Sequence, residues 1–215
     1  MLRTVPLFQD LPETDLAVMN ELAIEKTVTK GTVVLTEGAV GDSLYTIISG
    51  RVKVFIGDED GREIILKMLG PGDFFGEMSM IDSRPRSASV SALENCTFRV
   101  LSHAAFEECL RRAPRIATLV MQSLAKRLRD ADRKISTLAL MDVYGRVAST
   151  LLELAINSNG KKIIGDKLSQ QDLANMVGAS REMVNRILKD LTERGYISIE
   201  SKTITIHDEK LPPSF

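Results

Sequence analysis

The sequence predicts an α+β chain with three parts: an N-terminal antiparallel β-roll of jelly-roll type, a long dimerisation helix and a C-terminal winged helix-turn-helix. Three observations predict this order. Short β-prone runs separated by glycines fill residues 27–102, and an uninterrupted helical pattern follows Pro114. A helix–glycine–helix pattern then precedes two alternating runs near the C-terminus. Because strands repeat every two residues and helices every 3.6, these patterns separate the parts. We expect boundaries at 1–112, 113–138 and 139–215.

The composition is that of an ordinary globular protein. The 215 residues are 44% hydrophobic and 27% charged, which allows one large or two small domains. No apolar run approaches the roughly 20 residues that span a bilayer, and the N-terminus lacks an apolar signal segment. We therefore expect a cytoplasmic protein with no membrane partner. The net charge is −1, so any contact with nucleic acid must come from a local basic cluster.

Cysteine and histidine residues give no sign of a metal site. Cys96 and Cys109 show neither a metal-site spacing nor a disulfide framework, so both are expected to be buried apolar residues. His103 and His207 each follow a predicted strand, and we expect both at the surface.

A short helix and six strands are predicted before residue 102. Leu11 to Ala23 opens with Pro-Glu and carries apolar residues at helical spacing. Many short strands at regular spacing indicate a barrel or roll. Asp58–Gly61 has the composition of a hairpin turn, since glycine tolerates a positive φ there. The six β-prone runs are Thr32–Leu35, Ser43–Ile48, Val52–Ile56, Glu63–Met68, Ser87–Ser91 and Cys96–Leu101.

One stretch of this region, Gly70–Val90, has the residues needed to hold one phosphate and one ribose. It combines two glycine turns, the Phe74-Phe75 pair, an acid (Glu77) and an arginine (Arg86). About a hundred residues later the chain has a helix-turn-helix pattern, Leu168–Leu188. A nucleotide site upstream of a DNA-binding helix indicates a ligand-gated transcription factor.

The long helix carries a heptad seam. Ser102 can cap a preceding helix, and Pro114 begins the long one, in which small or apolar residues recur at alternating steps of four and three. Three repeats of this spacing favour a contact between two helices of a dimer. The alternative is a helix packed only on its own domain. The seam residues are Ala117, Met121, Leu124, Leu128, Ala131, Ile135 and Leu138.

The C-terminal part is predicted to begin with an amphipathic helix, Asp142–Ala155, followed by a loop at Asn157–Gly160. A helix-turn-helix comes next. Finally, Tyr196–Glu200 and Thr203–Ile206 alternate as a two-stranded wing joined around Ser201-Lys202. The signals for the helix-turn-helix are a capping box at Ser169 and Asp172, a turn at Gly178, a cap at Ser180 and a stop at Gly195.

The second helix of this motif carries polar residues where a recognition helix meets bases. Its N-terminal part enters the major groove in such proteins. Arginine contacts guanine O6 and N7, and glutamate accepts from cytosine N4. The alternative is a winged helix used for protein contact. The residues in this part are Arg181, Glu182, Asn185 and Arg186.

At this point the chain resembles the cAMP receptor protein (CRP/FNR) family of bacterial transcription regulators, over essentially its whole length. The order of roll, long helix and winged helix matches. The motifs that carry the resemblance are Gly70-x-Gly-Asp-x-x-Gly-Glu77, Arg86-Ser-Ala88, Leu138-Ala-Leu-Met-Asp-Val-Tyr-Gly-Arg-Val147 and Val177-Gly-x-Ser-Arg-Glu-x-Val184.

The resemblance implies a cyclic-nucleotide effector held by a short helix and the loop after it. Arg86 can give a bidentate bond to phosphate, and Glu77 can accept from a ribose 2′-hydroxyl. Gly76 lets the backbone approach the ligand, and main-chain N–H groups at a helix start favour an anion. The alternative is that Glu77 and Arg86 pair with each other in a roll that lost its ligand. The implied ligand residues are Gly76, Glu77, Met78, Arg86, Ser87, Ala131 and Asp132.

The identity of the base stays open. In the cAMP-responsive members a Thr-Ser pair on the dimer helix touches the base, and Ala131 and Asp132 stand there in this chain. Alanine cannot hydrogen-bond an adenine amine, whereas Asp132 can accept from adenine or guanine. We expect cAMP, with cGMP or cyclic di-GMP as alternatives. Some relatives bind cyclic di-GMP through acidic and arginine residues near this surface; here a solvated helix face is preferred for Arg127, Asp130 and Arg133.

The sequence argues against iron–sulfur sensors, haem sensors and a cyclic-nucleotide hydrolase. Iron–sulfur members need an N-terminal cysteine cluster and haem members need axial ligands, so no metal, haem or cluster is expected. A cyclic-nucleotide hydrolase needs metal ligands or a nucleophile with a base, and no histidine lies near Gly76–Ser87. The chain is therefore not expected to be an enzyme. A regulator that is active without ligand is the remaining alternative.

The resemblance also implies double-stranded DNA as partner, bound by a homodimer at a palindromic TGTGA-type site, and RNA polymerase as a further partner. Arg181, Glu182 and Arg186 correspond to the family's base-contacting residues. Asn185 stands where the best-known member has glycine, so it is expected to shift one base preference or add a phosphate contact. Ser169, Ser180 and Lys202 complete the expected DNA-binding set, with Ser180 and Lys202 meeting phosphates.

Overall fold

The computed structural model describes residues 11–158, 160–165, 168–200 and 203–207. The chain forms two compact units, Met1–Arg127 and Leu128–Phe215, and the division falls inside one long helix. Lys202 and Ser201 lie outside the described residues, as do residues 1–10. Among the described residues, no helix is long and apolar enough to cross a membrane.

The first unit is an antiparallel β-roll flanked by helices, which confirms the predicted fold class. Two four-stranded sheets have the orders β1-β8-β3-β6 and β2-β7-β4-β5. The helices are α1 (Glu13–Leu22), α2 (Glu77–Asp82), α3 (His103–Arg112) and α4 (Arg115–Leu140). The strands are β1 (Ile24–Val28), β2 (Val33–Leu35), β3 (Ser43–Ser49), β4 (Val52–Gly57), β5 (Glu63–Leu69), β6 (Phe74–Phe75), β7 (Ser89–Ala92) and β8 (Cys96–Ser102).

The six predicted strands are all present, and their ends agree with the prediction to within two residues. The Asp58–Gly61 turn is confirmed: Asp58 N donates to Arg62 O at 3.0 Å, and Gly61 has φ +76°. Two strands of this unit, β1 and β6, were not predicted. Strand β1 lies at a sheet edge with four consecutive exposed residues, so no alternation marks it, and β6 has only two residues. The predicted helix at Leu11–Ala23 is shorter, since Pro12 is extended and serves as its N-cap.

The core of the roll lies where β3, β6 and β8 bring their aromatic side chains together. The rings of Tyr45 and Phe75 stack at 5.1 Å between centroids, and Phe98 meets both edge-on at 5.9 and 5.5 Å. These are the arrangements that aromatic pairs prefer. Phe74 instead packs into a second cluster with α1, α3 and the start of α4. The Phe-Phe pair is therefore anchored on both sides, which holds the backbone just before Gly76.

The second unit contains a helix-turn-helix and a four-stranded sheet of order β11-β12-β10-β9. Its helices pack around a core that includes Val147, Leu151, Val184 and Leu191. The elements after α4 are α5 (Val143–Leu154), β9 (Ile156–Ser158), β10 (Lys161–Ile164), α6 (Gln170–Val177), α7 (Arg181–Glu193), β11 (Ile197–Glu200) and β12 (Thr203–Ile206).

Two predictions for this unit need correction. Asn157 and Ser158 were expected in a loop, but they lie in β9 and pair with Lys162 and Lys161 of β10. The wing was expected to have two strands, yet β12 also pairs with β10, so the sheet has four. The pairing of β10 with β12 is non-local, and the three-residue strand β9 is too short to show a periodicity.

The helix ends follow their predicted caps. Ser102 accepts from Ala105 N as expected, whereas Asp142, predicted as the first helical residue, is instead the N-cap of α5 and accepts from Gly145 N. Ser169 and Asp172 form a complete capping box, and Ser180 accepts from Met183 N. Gly178 closes α6 with φ +64°. Each bond satisfies an amide that the first helical turn leaves without a partner.

Candidate functional site

Arg86 lies in the first unit, held by backbone carbonyl groups. Its Nη1 donates to Gly76 O at 2.6 Å and its Nη2 to Ser43 O at 2.9 Å, and the residue is 6% exposed. Burial lowers the pKa of the Arg86 guanidinium, while Tyr45, Asp42 and Glu77 act in the opposite direction. A guanidinium has five N–H donors, so these two bonds leave N–H groups for an anion.

Two glycines leave space for this guanidinium. A Cβ built on Gly41 would lie 2.1 Å from Arg86 Nε. At Gly76 a Cβ would lie 2.7 Å from Ser43 O and 2.9 Å from Arg86 Nη1, and φ is +86°. Glycine at position 76 is thus required by its left-handed backbone and by the close approach of two neighbouring groups. Gly41 is a site residue that sequence reasoning missed, because nothing near it in sequence points to Arg86.

Glu77, the first residue of α2, is 1% exposed. Its Oε1 accepts from Arg127 Nη1 at 2.8 Å. Its Oε2 is buried and has no hydrogen-bond partner among the described residues. Glu77 and Arg86 therefore do not pair with each other as the ligand-free alternative required. A buried carboxylate oxygen without a donor carries a desolvation cost that a ligand hydroxyl would relieve.

Arg127 completes this cluster, and the expectation that it lies on a solvated helix face is wrong. Its Nη2 donates to Phe74 O, and its guanidinium lies 4.7 Å from the centroid of the Phe74 ring. Only 24% of its side chain is exposed. The sequence offered no local signal for this role, because 50 positions separate Arg127 from Glu77. Asp130 and Arg133 form an ion pair with each other; Arg133 is exposed as expected, whereas Asp130 is half-buried.

Met78 and Ser87 flank Glu77 and Arg86 on the exposed side. Ser87 Oγ lies 3.6 Å from Met78 Sδ, and both residues are exposed. Ala131 and Asp132 are also exposed, on the part of α4 that belongs to the second unit. The structure thus brings Gly76, Glu77 and Arg86 together, with Arg127 added to the expected set.

The seam of α4 presents apolar side chains to the surface of each unit. Ile116 and Val120 form the buried side of this helix, on the core of the first unit. Ala117 and Leu124 are half-buried, and Ala131 is exposed. The largest exposed fractions along the seam belong to Met121 (61%), Leu128 (64%), Ile135 (64%) and Leu138 (44%).

The recognition helix α7 presents Arg181, Glu182 and Arg186 to solvent. The pKa of Glu182 is lowered, first by its own backbone N–H and then by the hydroxyl of Ser180. Asn185 is half-buried, and its Oδ1 is buried without a hydrogen-bond partner among the described residues. The hydroxyl groups of Ser169 and Ser180 act as helix caps.

Metal ligands are not grouped in the described ranges: no cluster of three or more His, Cys, Asp or Glu side chains there could hold an ion. Burial raises the pKa of the Cys109 thiol to about 11, with Arg112 opposing. His207 is exposed as expected, whereas His103 is half-buried.

Comparison with known proteins matches both units. The family model for the cyclic nucleotide-binding domain matches residues 25–113, and that for the Crp-like helix-turn-helix domain matches residues 145–211. The CRP-like cAMP-activated global transcriptional regulator of Mycobacterium tuberculosis is 35% identical over 208 residues, covering 95% of this chain and 93% of that protein. The cAMP-activated global transcriptional regulator CRP of Pasteurella multocida is 39% identical over 177 residues, covering 79% and 83%.

A solved structure gives the same result. The c-di-GMP responsive global regulator CLP of Xanthomonas campestris superposes with a TM-score of 0.79 at 30% identity, covering 91% of this chain and 99% of that one. The paired domains, their order and the extent of identity to these regulators lead to one conclusion. The chain belongs to the CRP/FNR family of transcription regulators, and it is not an enzyme.

Proposed function

We propose that the protein is a homodimeric, sequence-specific DNA-binding regulator whose effector is cAMP, bound at Glu77 and Arg86. The observation that carries the proposal is the buried Oε2 of Glu77, which has no hydrogen-bond partner among the described residues. The other carboxylate oxygen of Glu77 accepts a hydrogen bond from Arg127 of α4. A ribose 2′-hydroxyl would supply the missing donor. A cyclic phosphate would accept from the remaining N–H groups of Arg86 and from the hydroxyl of Ser87.

The choice of cAMP rests on the effector of the relatives that are similar in sequence. The Mycobacterium and Pasteurella regulators are cAMP-activated, whereas the Xanthomonas regulator responds to c-di-GMP. Ala131 cannot hydrogen-bond an adenine amine, so we expect weaker cAMP binding than in members that carry a hydroxyl there. Cyclic di-GMP is the second candidate, because Arg129 and Arg133 are exposed along α4 and would suit its phosphates, while the exposed Asp132 would accept from a guanine base.

A homodimer is supported by the apolar seam. Leucine and isoleucine side chains that are 64% exposed lose water-contacting area when a second helix covers them, and seven positions at heptad spacing suit a two-helix contact. Two recognition helices in such a dimer would lie about one DNA turn, ~34 Å, apart and would contact a palindrome. Effector binding would bias the pair toward that spacing. We place RNA polymerase among the partners as the target of activation.

Calorimetry with cAMP, cGMP and cyclic di-GMP on the purified protein tests the effector. A titration of a TGTGA-type palindrome with and without each nucleotide then tests the control of DNA binding. We expect cAMP to bind and to raise affinity for the palindrome, with a scrambled duplex as control. Tight palindrome binding that no nucleotide alters would favour a ligand-independent regulator instead.

A further inference from the structure

Hydrogen bonds between three side chains connect α5 to the C-terminal part of the recognition helix. The hydroxyl of Tyr144, in the first turn of α5, donates to Asp190 Oδ2 at 3.1 Å. Asp190 Oδ1 accepts from Arg194 Nε at 2.9 Å, and Arg194 caps the C-terminus of α7. We call these three residues the Tyr144 clamp. All three lie in the second unit.

The hydrogen bonds of the Tyr144 clamp depend on orientation, whereas the apolar contacts around them do not. Helix α6 packs on both α5 and α7, whereas direct contact between α5 and α7 is sparser. Apolar contacts in the shared core permit small changes of helix angle, because burial of apolar surface has no preferred direction. A hydrogen bond from a hydroxyl to a carboxylate does have one. Burial raises the pKa of Tyr144, and the carboxylate of Asp190 raises it further, so the hydroxyl keeps its proton and remains a donor.

The clamp acts at the end of α7 opposite the predicted base contacts. Asp190 and Arg181 are separated by about 13 Å along the helix axis at 1.5 Å per residue. A tilt of about 10° that pivots at Asp190 would therefore move the backbone of Arg181 by about 2 Å. Such a shift exceeds the tolerance of a bidentate bond to a base edge, whereas a phosphate contact made by a flexible arginine can adjust.

The clamp also lies next to the end of α4. That helix ends at Leu140, Asp142 caps α5, and Tyr144 is the second residue of α5. At the other end of α5, the carboxylate of Glu153 opposes the lowering of the Lys134 pKa by burial, so α5 is also electrostatically linked to α4. Tyr144 thus lies close in sequence to the end of α4 and contacts α7 through Asp190.

We propose that Tyr144 is a positioning residue for DNA recognition, whose hydroxyl acts through Asp190 and Arg194 to hold the recognition helix at the angle that base contacts need. This inference rests on the proposed DNA-binding function. The clamp is proposed to affect sequence specificity, because contacts with bases depend on the helix angle more than contacts with phosphates do.

The test compares Tyr144→Phe with wild type on a duplex that the wild-type protein selects from a random pool. Phenylalanine keeps the ring and its packing and removes only the hydroxyl. We expect a loss of about five- to tenfold in affinity for the selected site, which is the net contribution of one ordinary hydrogen bond. Affinity for a scrambled duplex at the same salt concentration and the salt slope should stay unchanged. Adding Tyr144→Phe to Asp190→Ala should cost nothing further, because the hydroxyl then has no acceptor.

The matched control is Glu193→Gln, which removes the neighbouring exposed pair with Lys189 (3.7 Å) on the same turn of α7. It should leave both affinities unchanged. Equal losses on selected and scrambled duplexes for Tyr144→Phe, or an unchanged affinity ratio, would overturn the assignment. The selection is run without nucleotide and with cAMP, cGMP or cyclic di-GMP. A wild-type protein that enriches no sequence under any of these conditions would overturn the proposed DNA-binding function and the clamp with it.

Discussion

Arg127 Nη1 donates to Glu77 Oε1 at 2.8 Å, and this bond ties the first residue of α2 to α4. The same guanidinium covers the ring of Phe74 and donates to its carbonyl oxygen. Glu77 is 1% exposed, and Arg127 supplies a donor to one of its carboxylate oxygens. The other oxygen, Oε2, has no donor among the described residues. The pair joins the predicted ligand site to the helix that carries the dimer seam.

Arg127→Met should destabilise the protein by about 2–4 kcal/mol, because it leaves the buried carboxylate of Glu77 without a cation. Urea denaturation followed by circular dichroism measures the change. In the double mutant with Glu77→Gln, much of the loss should disappear, since no buried charge then remains. Arg133→Met removes an exposed arginine whose partner, Asp130, is half-buried, and it is the control. Equal costs for the two arginines would show that the Glu77 pair contributes no more than a surface contact.

Arg86→Leu should abolish most nucleotide binding, with a loss of about 2–4 kcal/mol or roughly 30- to 1000-fold in Kd, because the phosphate loses its charge-assisted donors. Calorimetry with the nucleotide that wild type binds gives the value. Circular dichroism checks that the roll persists, since Gly76 O and Ser43 O also lose a donor. Arg84→Leu removes an exposed arginine two positions earlier and should bind normally. Unchanged binding by Arg86→Leu would remove this residue from the phosphate site.

Ala131→Thr should strengthen cAMP binding by about 1 kcal/mol, since a hydroxyl there can hydrogen-bond the adenine amine. Competition between cAMP and cGMP on wild type and mutant measures the preference. Ala139→Thr, an exposed position on the same helix outside the seam, is the control. If wild type already binds cAMP tightly and the substitution has no effect, position 131 does not face the base.

Leu128→Glu should give monomers. A carboxylate at the centre of the seam would be desolvated without a partner in the dimer, whereas in the monomer its position is 64% exposed and tolerates a charge. Sedimentation equilibrium measures the oligomeric state, and the mutant should bind a palindrome poorly. Gln122→Glu adds the same charge at an exposed position off the seam and should leave the dimer intact. An intact Leu128→Glu dimer would place the interface elsewhere.

Arg181→Ala should cost ~1–3 kcal/mol and relax discrimination at one guanine, because this exposed side chain at the start of α7 can reach a base edge. Lys202→Ala, between the two wing strands in sequence, should weaken all sequences about equally and lower the salt slope by roughly one unit. Titrations against a TGTGA-type palindrome and its single-base variants at two salt concentrations compare the mutants. A changed base preference for Lys202→Ala alone would reverse the two assignments.

The sequence by itself determined the features that depend on a few neighbouring residues. The Asp58–Gly61 turn, the capping box at Ser169 and the cap at Ser180 were all predictable, because glycine backbone freedom and side-chain caps act within four residues. Short β-prone runs between glycines likewise marked six strands of the roll, and alternation marked the wing. Together these signals were enough to predict the roll, the long helix and the winged helix.

Only the tertiary structure decided the contacts between distant parts of the chain. Arg127 was expected on a solvated face, yet it binds Glu77 50 positions away; Tyr144 meets Asp190 46 positions away. Strand β10 pairs with β12, where Lys162 lies opposite Ile206. Such contacts depend on which surfaces the folded chain brings together, and the periodicity of a single segment carries no information about its partner.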